Sequence, residues 1–166
     1  MIPSDHFVRF YNEVFKFLDE KNSLEKYYLH ISSHQEFHCL KLFKDKGLQG
    51  LYEYYIKIRK EENCDMDIEL KAHEFSLFMK KCPSLSKATD NDAGVCPKYC
   101  LHCAGWLLPL LTKADLFIVY DMKSVDLPMC QIWVYDERRY AVAKLEELGA
   151  DPQVCSNVDR LDRSVS

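Results

Sequence analysis

The run Cys96-Pro-Lys-Tyr-Cys100-Leu-His-Cys103 sets three thiols and an imidazole within eight residues. Thiolates ligate soft metals and attack electrophilic carbon or sulfur, whereas protonated thiols fill cores as small apolar groups. The C-x3-C-x2-C spacing matches a cluster-binding loop. It would equally suit zinc or an iron–sulfur cluster held by Cys96, Cys100 and Cys103, with Cys82, Cys130 or His102 as fourth ligand. Without a metal, Cys100 is the expected nucleophile or substrate contact, with Cys103 or Cys130 beside it. Ligation, reaction and plain packing all remain open from spacing alone.

A thiol nucleophile needs a base, and imidazole is the side chain that commonly titrates near neutral pH. His30, His34 and His38 follow one another at i, i+4, so one helix carries them on adjacent turns. His34 or His38 is expected to face the thiols and transfer protons. Asp121 is an available carboxylate at a strand end and a candidate substrate contact. Trp106 and Trp133, each near a thiol in sequence, read as core anchors or as pocket walls, and Trp106 is the candidate wall of the site.

These groups require a scaffold. Ser4 is placed to cap a first helix with Phe7, Phe10, Tyr11, Val14, Phe15 and Leu18 at helical spacing. A second helix is expected over roughly residues 24–46, stopped by Gly47, and a third over 48–61. From Glu74 the period falls to two, with Phe75, Leu77 and Met79 alternating against Glu74, Ser76 and Lys80, the mark of a strand running into Cys82-Pro83. Residues 84–95 carry turn formers and no period, so they read as a mobile loop. Helical pattern resumes at Pro97 and continues to about Leu111, with Pro109 as its kink or end. That start would place Cys96 at a helix N-terminus, where the helix dipole lowers a thiol pKa. Leu116–Tyr120 and Ile132–Tyr135 are strand signals, expected to be antiparallel neighbours, and Arg138–Leu148 is a last helix closed by Gly149.

The expected fold class is α+β, an N-terminal helical layer (1–62) packed on a small antiparallel sheet with a Cys-rich helix (63–150). Together these form one domain over 1–150, followed by a flexible tail at 151–166. With 48% hydrophobic residues, ten Tyr and nine Phe, the chain is too apolar for disorder and rich in rings suited to a pocket. A net charge of −4 without a basic stripe argues against nucleic acid as partner. The apolar run from Trp106 to Leu111 is far short of the roughly 20 residues of a membrane span. The start, Met-Ile-Pro-Ser-Asp-His, lacks a basic region feeding an apolar one. The expected compartment is therefore the reducing cytoplasm, where the eight Cys stay free thiols.

From about residue 70 to 136 the chain resembles the L-2-amino-thiazoline-4-carboxylate hydrolase-like family. The resemblance lies in a strand ending at Cys82-Pro83, Tyr99-Cys100 opening a helix, Pro109, a strand at Phe117–Tyr120, and Cys130 entering the strand Gln131–Tyr135. It implies a small α+β protein in which Cys100 and Cys130 stand near a ligand, with a family member acting on a cyclic cysteine precursor. This chain has Ser124-Val-Asp126-Leu-Pro-Met where the family carries a Gly-Asp turn, and Cys96 and Cys103 look like additions. The leading expectation is an enzyme hydrolysing or ring-opening a C–N bond of a small polar metabolite, sulfur-containing ones included. The alternatives are a non-catalytic zinc or iron–sulfur protein and a helical interaction module with packing cysteines. A homodimer is compatible with the aromatic helices.

Overall fold

The computed structural model describes residues 5–92 and 94–158. Its helices are α1 (Asp5–Glu20), α2 (Leu24–Ser33), α3 (Lys41–Glu62), α4 (Pro83–Thr89), α5 (Leu101–Lys113) and α6 (Arg138–Leu148), with a π-helical turn at Glu36–Leu40 before α3. The strands are β1 (Asp65–Leu70), β2 (Glu74–Lys81), β3 (Phe117–Asp121), β4 (Cys130–Tyr135) and β5 (Val154–Ser156), in one antiparallel sheet of order β1-β2-β4-β3-β5. The fold is α+β.

Strand alternation divides the sheet into two faces. Phe75, Leu77, Ile118, Tyr120, Ile132 and Val134 turn toward α3 and α5 and share one core with their leucines and aromatics. Val119, Trp133 and Tyr135 turn the other way and pack on Ala141 of α6. Leu77 pairs with Ile132, and Ile132 with Tyr120, so a continuous row of side chains crosses three strands beneath the helices. A second cluster joins Val8 and Phe15 of α1, Leu24 and Tyr28 of α2, and Leu85 and Ala88 of α4 to Cys96 and Tyr99.

Local chemistry explains where the structure departs from the periodic reading. The expected 24–46 helix is broken: α2 ends at Ser33, and the π-helical turn shifts the register so that Cys39 and Leu40 face inward while His38 stays exposed. Gly47 does not stop a helix but kinks α3, with φ 55° and ψ −132°, a conformation open to glycine. Residues 84–95 are not all loop, because Cys82 caps α4, accepting a hydrogen bond from the Leu85 amide at Sγ (3.4 Å), and Pro83 occupies the first turn. The helix expected from Pro97 begins only at Leu101, and Pro109 lies within it. The start of the expected tail forms β5, paired with β3 through Val119 and Ser156. Asn157 then accepts from the Ile118 amide (2.9 Å) and donates to the Leu116 carbonyl (2.8 Å). The proposed Ser4 cap, and residues 159–166 of the tail, lie outside the described residues.

The tightest contact in the helical layer is at Gly105, where a Cβ would stand 2.5 Å from the Tyr28 Cβ. α2 and α5 meet there backbone to side chain, and the Ser32 hydroxyl donates to the Trp106 carbonyl (2.9 Å). Gly105→Ala gains about 1 kcal/mol of helix propensity but forces this contact apart, which costs about 1–3 kcal/mol or more. Urea unfolding is expected to show net destabilisation; a variant more stable than wild type would mean that the two helices can separate freely.

Candidate active site

A cavity of about 290 Å3 lies between the inner sheet face and the two helices that cover it. Leu77, Met79, Tyr120, Cys130 and Ile132 come from the strands, Tyr54, Tyr55, Ile58 and Glu62 from α3, and Cys100, His102, Cys103, Trp106 and Leu107 from the start of α5. Cys82, Leu85, Tyr99 and Met129 complete the wall. Four thiols, at Cys82, Cys100, Cys103 and Cys130, therefore meet one cavity. Each arrives for a local reason: Cys82 caps α4, Cys100 is the N-cap of α5 and Cys103 lies in its first turn, and Cys130 opens β4 on the face shared with Ile132.

His102 has a defined hydrogen-bonding state. Its Nδ1 lies against the Tyr99 carbonyl, which can only accept, so Nδ1 carries the proton and Nε2 is left as an acceptor. Cys103 Sγ lies 3.3 Å from Nε2 and donates its thiol proton to it. Phe15 and Tyr99 pack on the imidazole, at 5.8 Å and 5.1 Å between ring centroids. Burial holds the His102 pKa below the usual histidine range, against the opposing effect of the Tyr99 carbonyl. Imidazole and thiol are consequently a neutral pair at rest.

Desolvation dominates every thiol here. It pushes Cys103 up to about 11, partly offset by the Tyr120 hydroxyl, and Cys100 up to about 12, with Cys103 and Cys82 adding to the effect. Cys82 rises to about 11 despite the Leu85 amide, and burial raises Cys130 further still, again offset in part by Tyr120. At neutral pH a thiol near 11 is ionised in roughly one molecule in ten thousand. The thiols lining the cavity are therefore protonated near neutral pH.

The sequence candidates separate on this geometry. Cys100, Cys103, Cys130, Cys82 and Trp106 line the cavity. Cys96 does not: it is buried in the second cluster ahead of α5, and the Asn12 carboxamide accepts its backbone amide (2.8 Å). Burial raises its pKa, opposite to the lowering expected at a helix N-terminus, because α5 starts five residues later. His34 and His38 are exposed and not part of the lining. His34 packs its ring on His30 at 4.3 Å, and His38 borders a surface groove with Glu53 and Lys57. Asp121 is buried on the opposite sheet face, where it is ion-paired with Lys123 and accepts the Lys123 amide (3.0 Å).

The expected metal set of Cys82, Cys96, Cys100 and Cys103 is split between the two clusters by the position of Cys96. Among the described residues, only His73, Asp136 and Glu137 bring three ligand atoms within 4.8 Å of one another, at the surface and away from the thiols. The cavity thiols thus fit separate contacts to a ligand better than one tetrahedral centre, whose ligand atoms must sit about 2.0–2.3 Å from a shared ion.

Several lining residues escaped the sequence reading. His102 was visible only as a fourth metal ligand, since adjacency on a helix does not show that two side chains touch. Tyr120 was not singled out, since it reaches the face of the candidate Cys130 only once β3 and β4 pair, a register that neither segment reveals alone. Glu62 sits on the last turn of α3 among Glu61 and Asp65, charges that carry no sequence signal of a cavity. Comparison with protein-family models, curated proteins and solved structures gave no match.

Because these thiols titrate above the ordinary range, iodoacetamide should alkylate Cys82, Cys100, Cys103 and Cys130 in the native protein at pH 7.5 at least about tenfold more slowly than free cysteine. The rate should climb as pH rises toward 11, and unfolding should expose all eight thiols. Peptide mapping by mass spectrometry measures this; labelling of Cys103 as fast as free cysteine would mean an activated thiolate instead.

Proposed function

We propose that this chain is a small-molecule hydrolase or ring-opening enzyme acting on a C–N bond, with Cys103 as nucleophile and His102 as proton-transfer group. The observation that carries the reading is the 3.3 Å contact from Cys103 Sγ to His102 Nε2 inside an aromatic-walled cavity. As sulfur bonds to the electrophilic carbon, the thiol proton passes to Nε2, so the scarce thiolate never has to accumulate. The imidazolium returns that proton to the departing nitrogen as the C–N bond breaks. Water, deprotonated by the same Nε2, then cleaves the carbon–sulfur adduct and restores the thiol. In a ring substrate the released nitrogen stays tethered and the product is the opened chain.

The imidazole partner turns the assignment from Cys100 to Cys103. Cys100 keeps a role as substrate contact, and Cys130, under the Tyr120 hydroxyl, lines the floor. Trp106, Tyr54 and Tyr55 supply flat faces and exclude water, which favours a planar ligand. The resemblance to the L-2-amino-thiazoline-4-carboxylate hydrolase-like family over residues 70–136 supports the same class of reaction.

A homodimer is part of this reading. α1 carries Phe10 and Phe17, 58% and 59% exposed, on a side turned away from buried Val8, Asn12 and Phe15. A second copy of α1 laid on that stripe would bury these rings. Among the described residues, no helix is long and apolar enough to cross a membrane.

With amine release measured over a panel of small cyclic and acyclic C–N compounds, Cys103→Ser should reduce turnover to background. His102→Gln should lower it about 10^2–10^4-fold, while Cys100→Ser keeps measurable turnover. Wild-type turnover in Cys103→Ser would remove the assignment. In sedimentation velocity the wild type should run at twice the chain mass and Phe10→Glu/Phe17→Glu at the single mass; a monomeric wild type would exclude the dimer.

A further inference from the structure

The cavity has a one-sided charge. Among the described residues that line it, Glu62 is the only carboxylate and none is Lys or Arg. His102 is held neutral, and the remaining polar groups are thiols and phenols that burial keeps protonated. Glu62 is partly buried at the end of α3, and burial raises its pKa. No Lys, Arg or His among the described residues forms an ion pair with it. Glu62 lines the same cavity as Cys82, Cys103 and Tyr54.

An anion entering this space would leave water, meet no Lys or Arg among the described lining residues and be repelled by Glu62, and burying an unpaired charge is costly. A cation meets the opposite conditions. Glu62 offers it a partner whose own desolvation it relieves, and Tyr54, Tyr55 and Trp106 offer ring faces that attract positive charge. At about 290 Å3 the space is at the lower end of ligand pockets, roughly 300–1,000 Å3.

We infer that the cavity selects a small planar amine or amidine bearing one positive charge and no carboxylate, its ring against the aromatic wall and its nitrogen on Glu62. This rests on the proposed site but not on its chemistry, since it concerns binding alone. It also departs from what the family resemblance implies: a substrate bearing a carboxylate would find no cation among the described lining residues.

Benzamidine, benzamide and benzoate have nearly the same shape and differ in charge, so calorimetric titration of the full chain with each reads the selection directly. Benzamidine should bind at least tenfold more tightly than benzamide, benzoate should bind at least tenfold more weakly than benzamide, and benzamidine should slow alkylation of Cys103. Glu62→Gln should bring benzamidine down to the benzamide affinity and leave benzamide unchanged. Benzoate binding as well as benzamidine, no binding by any of the three, or an unaltered benzamidine preference in Glu62→Gln would overturn the inference. Cys103→Ser separates the two claims. If it retains the binding order while wild-type turnover is absent on every C–N compound, the catalytic reading fails and the charge selection stands. If turnover depends on Cys103 but the order is reversed, the selection alone fails.

Discussion

The close approach of α2 to α5 at Gly105 is the constraint on which the site depends. Tyr28 lies where a side chain at position 105 would have to be, and the Ser32 hydroxyl holds the Trp106 carbonyl one residue on. Pro109 leaves the Gly105 carbonyl without its helical partner, so α5 carries two irregular residues one turn apart at this contact. Beneath it Leu107, Leu110 and Leu111 are buried in the core shared with the sheet. α5 is thereby gripped on both sides, and its first turn, which bears His102 and Cys103 after the N-cap Cys100, lines the same cavity as Tyr120 and Cys130.

The second organising feature is desolvation. Thiols and phenols around the cavity are pushed up and the one imidazole is pushed down, so every group except Glu62 is neutral. Neutral groups cost little to bury when they pair with one another, as Ser84 and Tyr99 do at 2.6 Å and Cys103 and His102 at 3.3 Å. The cavity can therefore be part of the hydrophobic core without a large penalty. Chemistry that needs charge must then create it during the reaction or bring it with the ligand.

The two apolar clusters divide between lining the cavity and holding its imidazole. Phe15 of α1 and Tyr99 belong to the second cluster yet pack on His102. Asn12 ties the same region to the chain before α5, donating to the Gly94 carbonyl (2.9 Å) and accepting the Cys96 amide (2.8 Å). The N-terminal helices thus act on the site through the ring that orients the imidazole, although no residue of α1 lines the cavity.

The sequence by itself determined the layers. Alternation at Phe75, Leu77 and Met79, the apolar runs ending at Tyr120 and Tyr135, and Gly149 closing a helix are local signals whose physics acts within a few residues, and β2, β3, β4 and α6 lie where those signals put them. Cys100 and Trp106 were legible as cavity residues because a helix fixes which neighbours share a side. Register and helix ends decided the rest. A π-helical turn left His38 exposed, a start at Leu101 rather than Pro97 sent Cys96 into another cluster, and strand pairing brought Tyr120 and Cys130 under Cys103. His102 and Cys103 are neighbours in the chain, but which other thiols join them depends on contacts between segments distant in sequence and on the burial those contacts create. Both arise only when the helical layer closes on the sheet.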